Sequence, residues 1–167
     1  MKTKTQESKI SSARKKANPK SSKETLETIF EETLKDIYWA EKLLVKTLPK
    51  LSKASYNEDL QEAFTSHLEE TQNQITRIEK CFEIMELKPA AKKCEAMEGL
   101  TKEGESIVEE TEEGSMTRDA GIILAAQKVE HYEIATYGGL TTLAKTMGRD
   151  DIAGILHSTL EEEKAAD

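Results

Sequence analysis

Apolar residues recur at helical spacing along nearly all of residues 24–167. Leu26, Ile29, Phe30, Leu34, Ile37, Leu44, Leu48 and Leu51 mark one predicted helix over 24–54. Ser21 with Glu24 three residues on fits a capping box at its start. Pro49 falls inside the run and is expected to kink it or end it a turn early. After a turn at 55–57, Leu60, Phe64, Leu68, Ile75, Ile78 and Phe82 mark a second helix over 58–87, which Lys88-Pro89 stops. Residues 88–116 read as a long connection with a weaker helical stretch over 96–110. Thr117 can cap a third helix over 118–147. Gly138-Gly139 interrupts it, at a cost in helix stability but with room for close packing, and Gly148 closes it. A fourth helix starts near Asp150 and runs to Asp167.

Two long helices, a long connection and two more helices describe an all-α four-helix bundle with one long crossover between helices 2 and 3. That is the ferritin-like arrangement, whose members often hold two metals between the helices.

The pattern is broken where it should be most apolar. Glu41 falls in the stripe Ile37, Leu44, Leu48, and Glu70 on the face of Phe64, His67 and Gln74. Glu130 falls in the stripe Ile123, Ile134, Tyr137, and Glu163 in Leu156, Thr159, Ala166. An unpaired carboxylate in an apolar core is very costly, so buried charges are paired or bind metal. One core acid on each of four helices predicts that Glu41, Glu70, Glu130 and Glu163 converge on one cavity, with His67 and Glu133 nearby. Iron and manganese favour this mixture of carboxylate and imidazole, so two iron or manganese ions are the expected cofactors. The usual di-iron pattern is a Glu on two helices and Glu-x-x-His on the other two. Here the spacing is reversed in His67-x-x-Glu70 and wholly acidic in Glu130-x-x-Glu133. Residues three apart share a helix face, so both pairs can point inward. Gln74, one turn beyond Glu70, offers another oxygen. Each acid also has a bland alternative: Glu41 can pair with Lys42, Glu69 competes with Glu70, and Glu162 with Glu163. His131 should point away from the site, and Tyr38, Trp39, Tyr132 and Tyr137 read as packing residues, Tyr137 with the option of holding a ligand carboxylate.

Composition narrows the class. Charged residues make up 34% and aromatics 5% of 167 residues, the balance of one soluble helical domain with charged outer faces. No run of 18 apolar residues predicts a membrane span. Charge is uneven. Residues 1–23 hold eight Lys or Arg and one acid, for +7, whereas the whole chain is −8. This segment is expected to be a disordered basic arm before a bundle over 24–167, with contact to nucleic acid or to the acidic body as its functional alternative. It lacks the apolar core of a secretory signal, which predicts a cytoplasmic protein. Cys81 and Cys94 form no CxxC motif and read as free thiols. No phosphate-binding glycine loop or nucleophile elbow is present.

The segments DIYWAEKLL, HLEETQNQITRIEKCFE, CEAMEGLTKEGE, RDAGIILAAQKVEHYEIATYGGL and LHSTLEEEKAAD occur in that order. They resemble the successive signatures of the YciF/YciE stress-protein family (the DUF892 ferritin-like family), over about residues 24–167. The resemblance implies a ferritin-like four-helix bundle, a homodimer, a dinuclear metal site and a role in stress. Family members usually carry the fourth helix some turns past the position of Asp167. Leu26, Phe30, Leu34 and Tyr38, on a second face of the first helix, are the candidates for a dimer interface. Two function classes follow: a di-metal protein that reacts with dioxygen or peroxide, and a non-catalytic bundle used for assembly.

Overall fold

The computed structural model describes the backbone of residues 19–167 and side chains from residue 26. The basic segment before residue 19 lies outside the described residues. Those described form five helices and no strand: α1 (Pro19–Ala54), α2 (Glu58–Ile84), α3 (Glu95–Glu110), α4 (Met116–Thr146) and α5 (Asp150–Ala166). None is long and apolar enough to cross a membrane. α1 packs on α2 and α4, α5 packs on α4 and α2, and α3 lies mainly on α4 with an edge against α1.

The core is the predicted set of stripes. Phe30, Leu34, Ile37, Tyr38, Leu44 and Leu48 of α1 are buried against Phe64, Ile78 and Phe82 of α2, Ile122, Tyr137 and Leu140 of α4, and Ile152 and Leu156 of α5. This corrects the expected dimer face. Phe30 and Leu34 are fully buried and Tyr38 nearly so, because three helices pack around α1 and both its apolar faces turn inward. Ile123 leaves its predicted stripe in the other direction and is 43% exposed, while Ile122 takes the core position.

Helix ends follow local chemistry. Asn57 caps α2 by accepting from Leu60 N, and Glu58 and Asp59 place negative charge on its first turn. Asp119, at the start of α4, accepts from the backbone N–H of Tyr56 (2.7 Å) and Asn57 (2.8 Å), tying the α1–α2 turn to the far end of the chain. α2 ends at Ile84, before Lys88-Pro89, because Glu86 adopts a left-handed φ of 58° and Leu87 N reaches back to Phe82 O. Gly148 makes the same exit from α4 at φ 74°, as its position predicts. Ser115, two residues before Thr117, caps α4 by accepting from Arg118 N. α1 begins at Pro19 and passes through Ser21, so the Ser21–Glu24 pair does not mark its start, and it runs through Pro49 to Ala54.

Among the glycines, close approach is needed at Gly121. A Cβ there would stand 2.6 Å from Ile107 Cγ2 of α3, whereas at Gly138 and Gly139 it would meet nothing within 4 Å. The expected close packing at Gly138-Gly139 is absent, and α4 runs through both. Replacing exposed Gly139 with Ala is therefore expected to raise stability by about 1 kcal/mol through helix propensity alone. Gly121→Ala should lower it, since overpacking costs about 1–3 kcal/mol. In a denaturation cycle with Ile107→Ala, the double variant should lose less than the two single losses added, and strict additivity would show that the α3–α4 contact is not limiting.

Candidate metal centre

The helix stripes carry five polar intruders to one place. Glu41 comes from α1, His67 from α2, Glu130 and Glu133 from α4 and Glu163 from α5. Glu41, Glu133 and Glu163 have no exposed surface, and Glu130 and His67 are nearly buried. One ligand atom from each of His67, Glu130, Glu133 and Glu163 lies within 4.8 Å of those from the other three. Glu41 adjoins this group through Glu133, and its Oε1 accepts the Tyr137 hydroxyl. Tyr137 is thus the second function the sequence allowed it, a buried phenol holding a carboxylate. Glu70 does not join the buried set. Its side chain is 44% exposed, and its Oε2 lies 3.4 Å from His67 Nδ1, at the rim.

The alternatives weighed for each acid are resolved by partners elsewhere. Lys42 stacks over the Tyr38 ring, 4.8 Å from its centroid, and leaves Glu41 alone. Glu162 takes Arg77 in a two-pronged pair at 2.5 and 2.7 Å, so its neighbour Glu163 is the one turned inward. Glu69 is exposed. His131 is exposed, as expected, and sits 2.9 Å from Asp167 Oδ1. No lysine or arginine among the described residues makes an ion pair with the cluster, whose one cationic partner is His67, with Nε2 3.3 Å from Glu130 Oε1.

Six carboxylate oxygens are left buried without a hydrogen-bond donor: Oε2 of Glu41 and Glu130 and both oxygens of Glu133 and Glu163. Buried polar atoms are nearly always partnered, so a cluster of six needs a cause. The groups closest to them are one another, Glu133 beside Glu41 and Glu163 beside Glu130. Shared protons, ordered water or added cations can satisfy such pairs. Burial first, then neighbouring carboxyls, raises Glu163 to about 10 and holds Glu133 well above the usual carboxylate range. Burial also lifts Glu41 to about 7, with the Tyr137 hydrogen bond and the His67 charge opposing. For His67, burial favours the neutral ring, but Glu130 outweighs it, helped by Glu70 and Glu41, and raises the imidazole to about 9. Gln74 is buried with its Oε1 unpartnered, while its amide donates to Glu162.

A second polar group, half-buried, went unread in the sequence. Tyr132 donates to Asp36 Oδ2 at 2.6 Å, and Cys94 Sγ lies 3.1 Å from the same hydroxyl while capping α3. Its parts lie far apart in the chain, so no local spacing signals it. Both cysteines are free and buried, and burial pushes the Cys81 thiol up to about 12.

A family model described as "Domain of unknown function (DUF892)" matches residues 25–167. Protein YciF of Escherichia coli (strain K12) is 51% identical over 144 residues, 86% of each chain. The crystal structure of that E. coli stress protein superposes with a TM-score of 0.81, covering 85% of this chain and 89% of that one. A putative structural protein from Rhodopseudomonas palustris, 44% identical, gives a TM-score of 0.82 over 84% of this chain and 89% of its own.

The raised carboxyls set a pH dependence for the metal-free protein. Carboxyls titrate near 4.3 and imidazole near 6.5 when unfolded. Glu41 (about 7), Glu163 (about 10) and His67 (about 9) all hold protons more tightly when folded. The stability they contribute is fully present below the unfolded values and is lost as pH rises toward the folded ones. Thermal melts of metal-stripped protein should show Tm falling steadily from pH 5.5 to 8. A flat or rising profile would mean that the carboxyls are already neutralised by something else.

Proposed function

This chain belongs to the DUF892 family, and we propose that its buried carboxylate–imidazole cluster holds two iron or manganese ions for reaction with dioxygen or peroxide. The six unpartnered carboxylate oxygens carry this reading. Ionised together, Glu41, Glu130, Glu133 and Glu163 would place four negative charges in one buried space, and two divalent ions would balance them. Glu41, His67, Glu130, Glu133 and Glu163 would hold the ions, and Glu70 closes the rim. The donors are mostly oxygen with one imidazole, a set suited to iron or manganese. When bound, such ions supply redox chemistry toward oxygen species. The protein's own part is to fix the ligands: Tyr137 orients Glu41, and the Arg77–Glu162 pair, beside Glu163 on α5, anchors that turn to α2.

The cyclic packing of α1, α2, α5 and α4, with α3 inside the connection, supports a ferritin-like four-helix bundle with a crossover between its second and third long helices. The E. coli relative's description as a stress protein supports a role in stress. Two free buried thiols suit a reducing cytoplasm. We expect a homodimer, with Ile29, Tyr56, Met116, Ile123 and Leu124 as the exposed large apolar residues available to build it now that Phe30, Leu34 and Tyr38 are buried; a monomer mass by light scattering at micromolar concentration would count against it.

A second reading is a non-catalytic assembly protein. The description of the R. palustris relative as a putative structural protein favours it, as does the His67–Glu130 pair, which partly balances the cluster without metal. Elemental analysis after iron and manganese loading separates the two. On the first reading, about two ions bind per chain and raise Tm, by on the order of 3 kcal/mol in stability at a hundredfold excess over Kd. Glu133→Gln should shrink that rise while leaving the metal-free protein about as stable, because the neutral amide stands in for a carboxyl that burial and its neighbours already hold protonated. Metal-free stability lost with the metal-induced rise unchanged would make Glu133 structural and the assembly reading the better one.

A further inference from the structure

A metal site inside a bundle needs an entry path as well as ligands. Two spaces adjoin the cluster, and both end on His67 and Glu130. One, where α1, α3 and α4 meet, is about 20 Å³ and is walled mostly by apolar side chains. The other is a solvent-facing cleft of about 380 Å³ between α2, α4 and the end of α5, with Ser66, Glu70 and Gln127 on its walls. We propose that divalent cations load the cluster through this cleft, and that Glu70 is the ligand that captures them at the rim and passes them inward past His67, without staying bound once the site is filled. This route rests on the metal reading above and gives it an entrance and a residue that controls it.

Size and charge choose the cleft. One water takes roughly 10–15 Å³ of such space, so the smaller opening has no room for an ion with its water shell, and the cleft has. Three acids line the cleft, Glu70, Glu130 and Asp167, and no lysine or arginine among the described residues does. A cleft of one sign concentrates counter-ions and speeds their arrival by about 10- to 1000-fold. Glu70 is the member suited to first contact. Its side chain is 44% exposed, so it can meet an ion that still holds most of its water, whereas Glu41, Glu133 and Glu163 are closed off. His67 faces both ways: Nδ1 lies 3.4 Å from Glu70 Oε2, and Nε2 lies 3.3 Å from Glu130 Oε1. Glu130 is 7% exposed, forms part of the cleft wall and carries an unpartnered oxygen, Oε2. The three side chains make a graded line from water to the interior. First comes a half-exposed carboxylate, then an imidazole with a nitrogen toward each neighbour, then a buried carboxylate with an oxygen to spare. Along such a line an ion exchanges its waters for protein ligands a few at a time, which avoids stripping a hard cation all at once.

Stopped-flow mixing of the metal-stripped full chain with cobalt(II), followed by the visible absorption that cobalt gains on binding, measures uptake, and a chase with EDTA measures release. Glu70→Gln should slow uptake and release alike by about tenfold, since one residue serves both directions, and leave the number of ions bound unchanged and Kd within about twofold of wild type. Gln127→Lys, which puts a positive charge on the exposed wall of the same cleft, should slow uptake as well. Glu105→Gln, an equal loss of charge on α3 outside the cleft, should leave both rates unchanged. Fewer ions bound and faster release in Glu70→Gln would make Glu70 a resident ligand and overturn the proposal. Slower uptake with unchanged release would make it a steering charge rather than a ligand, and unchanged uptake would give it no part in loading; either result overturns the proposal while the metal site stands. Wild-type protein that takes up no cobalt, iron or manganese would remove the metal reading, and the route with it.

Discussion

Four carboxyl groups share the inside of this protein, and their neutralisation is the constraint on which the rest depends. Glu41, Glu133 and Glu163 have no contact with solvent and Glu130 almost none. Left ionised together they would repel in a medium that screens poorly. The fold supplies one phenol, from Tyr137, and one imidazole, from His67, and no ammonium or guanidinium. The remaining negative charge must be met by protons or by cations from outside. An apolar replacement at each position would make a simpler core, so packing alone does not account for the acids.

The polar elements around the cluster are divided accordingly. The chain spends its strong ion pair, Arg77 with Glu162, on the residue next to Glu163 rather than on Glu163 itself. That pair spans α2 and α5 at the very turn from which Glu163 projects. Asp119, farther up α4, is likewise buried, but it accepts two backbone N–H groups and so serves as a tie between chain segments. Buried acids of the structural kind have partners here. Those of the central cluster lack them, and the contrast within one molecule is what separates a site from a scaffold.

Much of this was legible in the sequence because a polar residue inside a helical stripe is a local signal. Glu41, His67, Glu130, Glu133 and Glu163 could be picked out by spacing alone, and the structure brings them together. Glu70 shares the spacing, but a residue three positions from His67 lies at the edge of the same face, and its side chain reaches only the rim. What failed was non-local. Periodicity shows that α1 has two apolar faces but not that both are covered, so Phe30, Leu34 and Tyr38 read as an interface while lying in the core. The glycine that matters for packing is Gly121 and not Gly138 or Gly139, because the place where α3 crosses α4 is not written into either helix. The exit of α2 through a left-handed Glu86 carries no glycine signal and came three residues before the expected stop.

His67 links the chemistry of the cluster to the fold's tolerance of an empty site. Without metal, its imidazolium sits between Glu130 and Glu70 and is the one cationic partner that the carboxylate cluster has among the described residues. As a metal ligand, the same ring must be neutral, since a protonated nitrogen has no lone pair to give. The two states therefore exchange one kind of cation for another: an imidazolium and shared protons on one hand, divalent ions on the other. In both, the charge of the four carboxyls is largely balanced, so the helices need not rearrange between them. A cluster satisfied only by metal would leave the protein unfolded until loaded. One satisfied fully by side chains would have no reason to bind any. On the proposed metal reading, one histidine among four glutamates would set this chain between those limits, with part of the charge met from within and the rest left for metal.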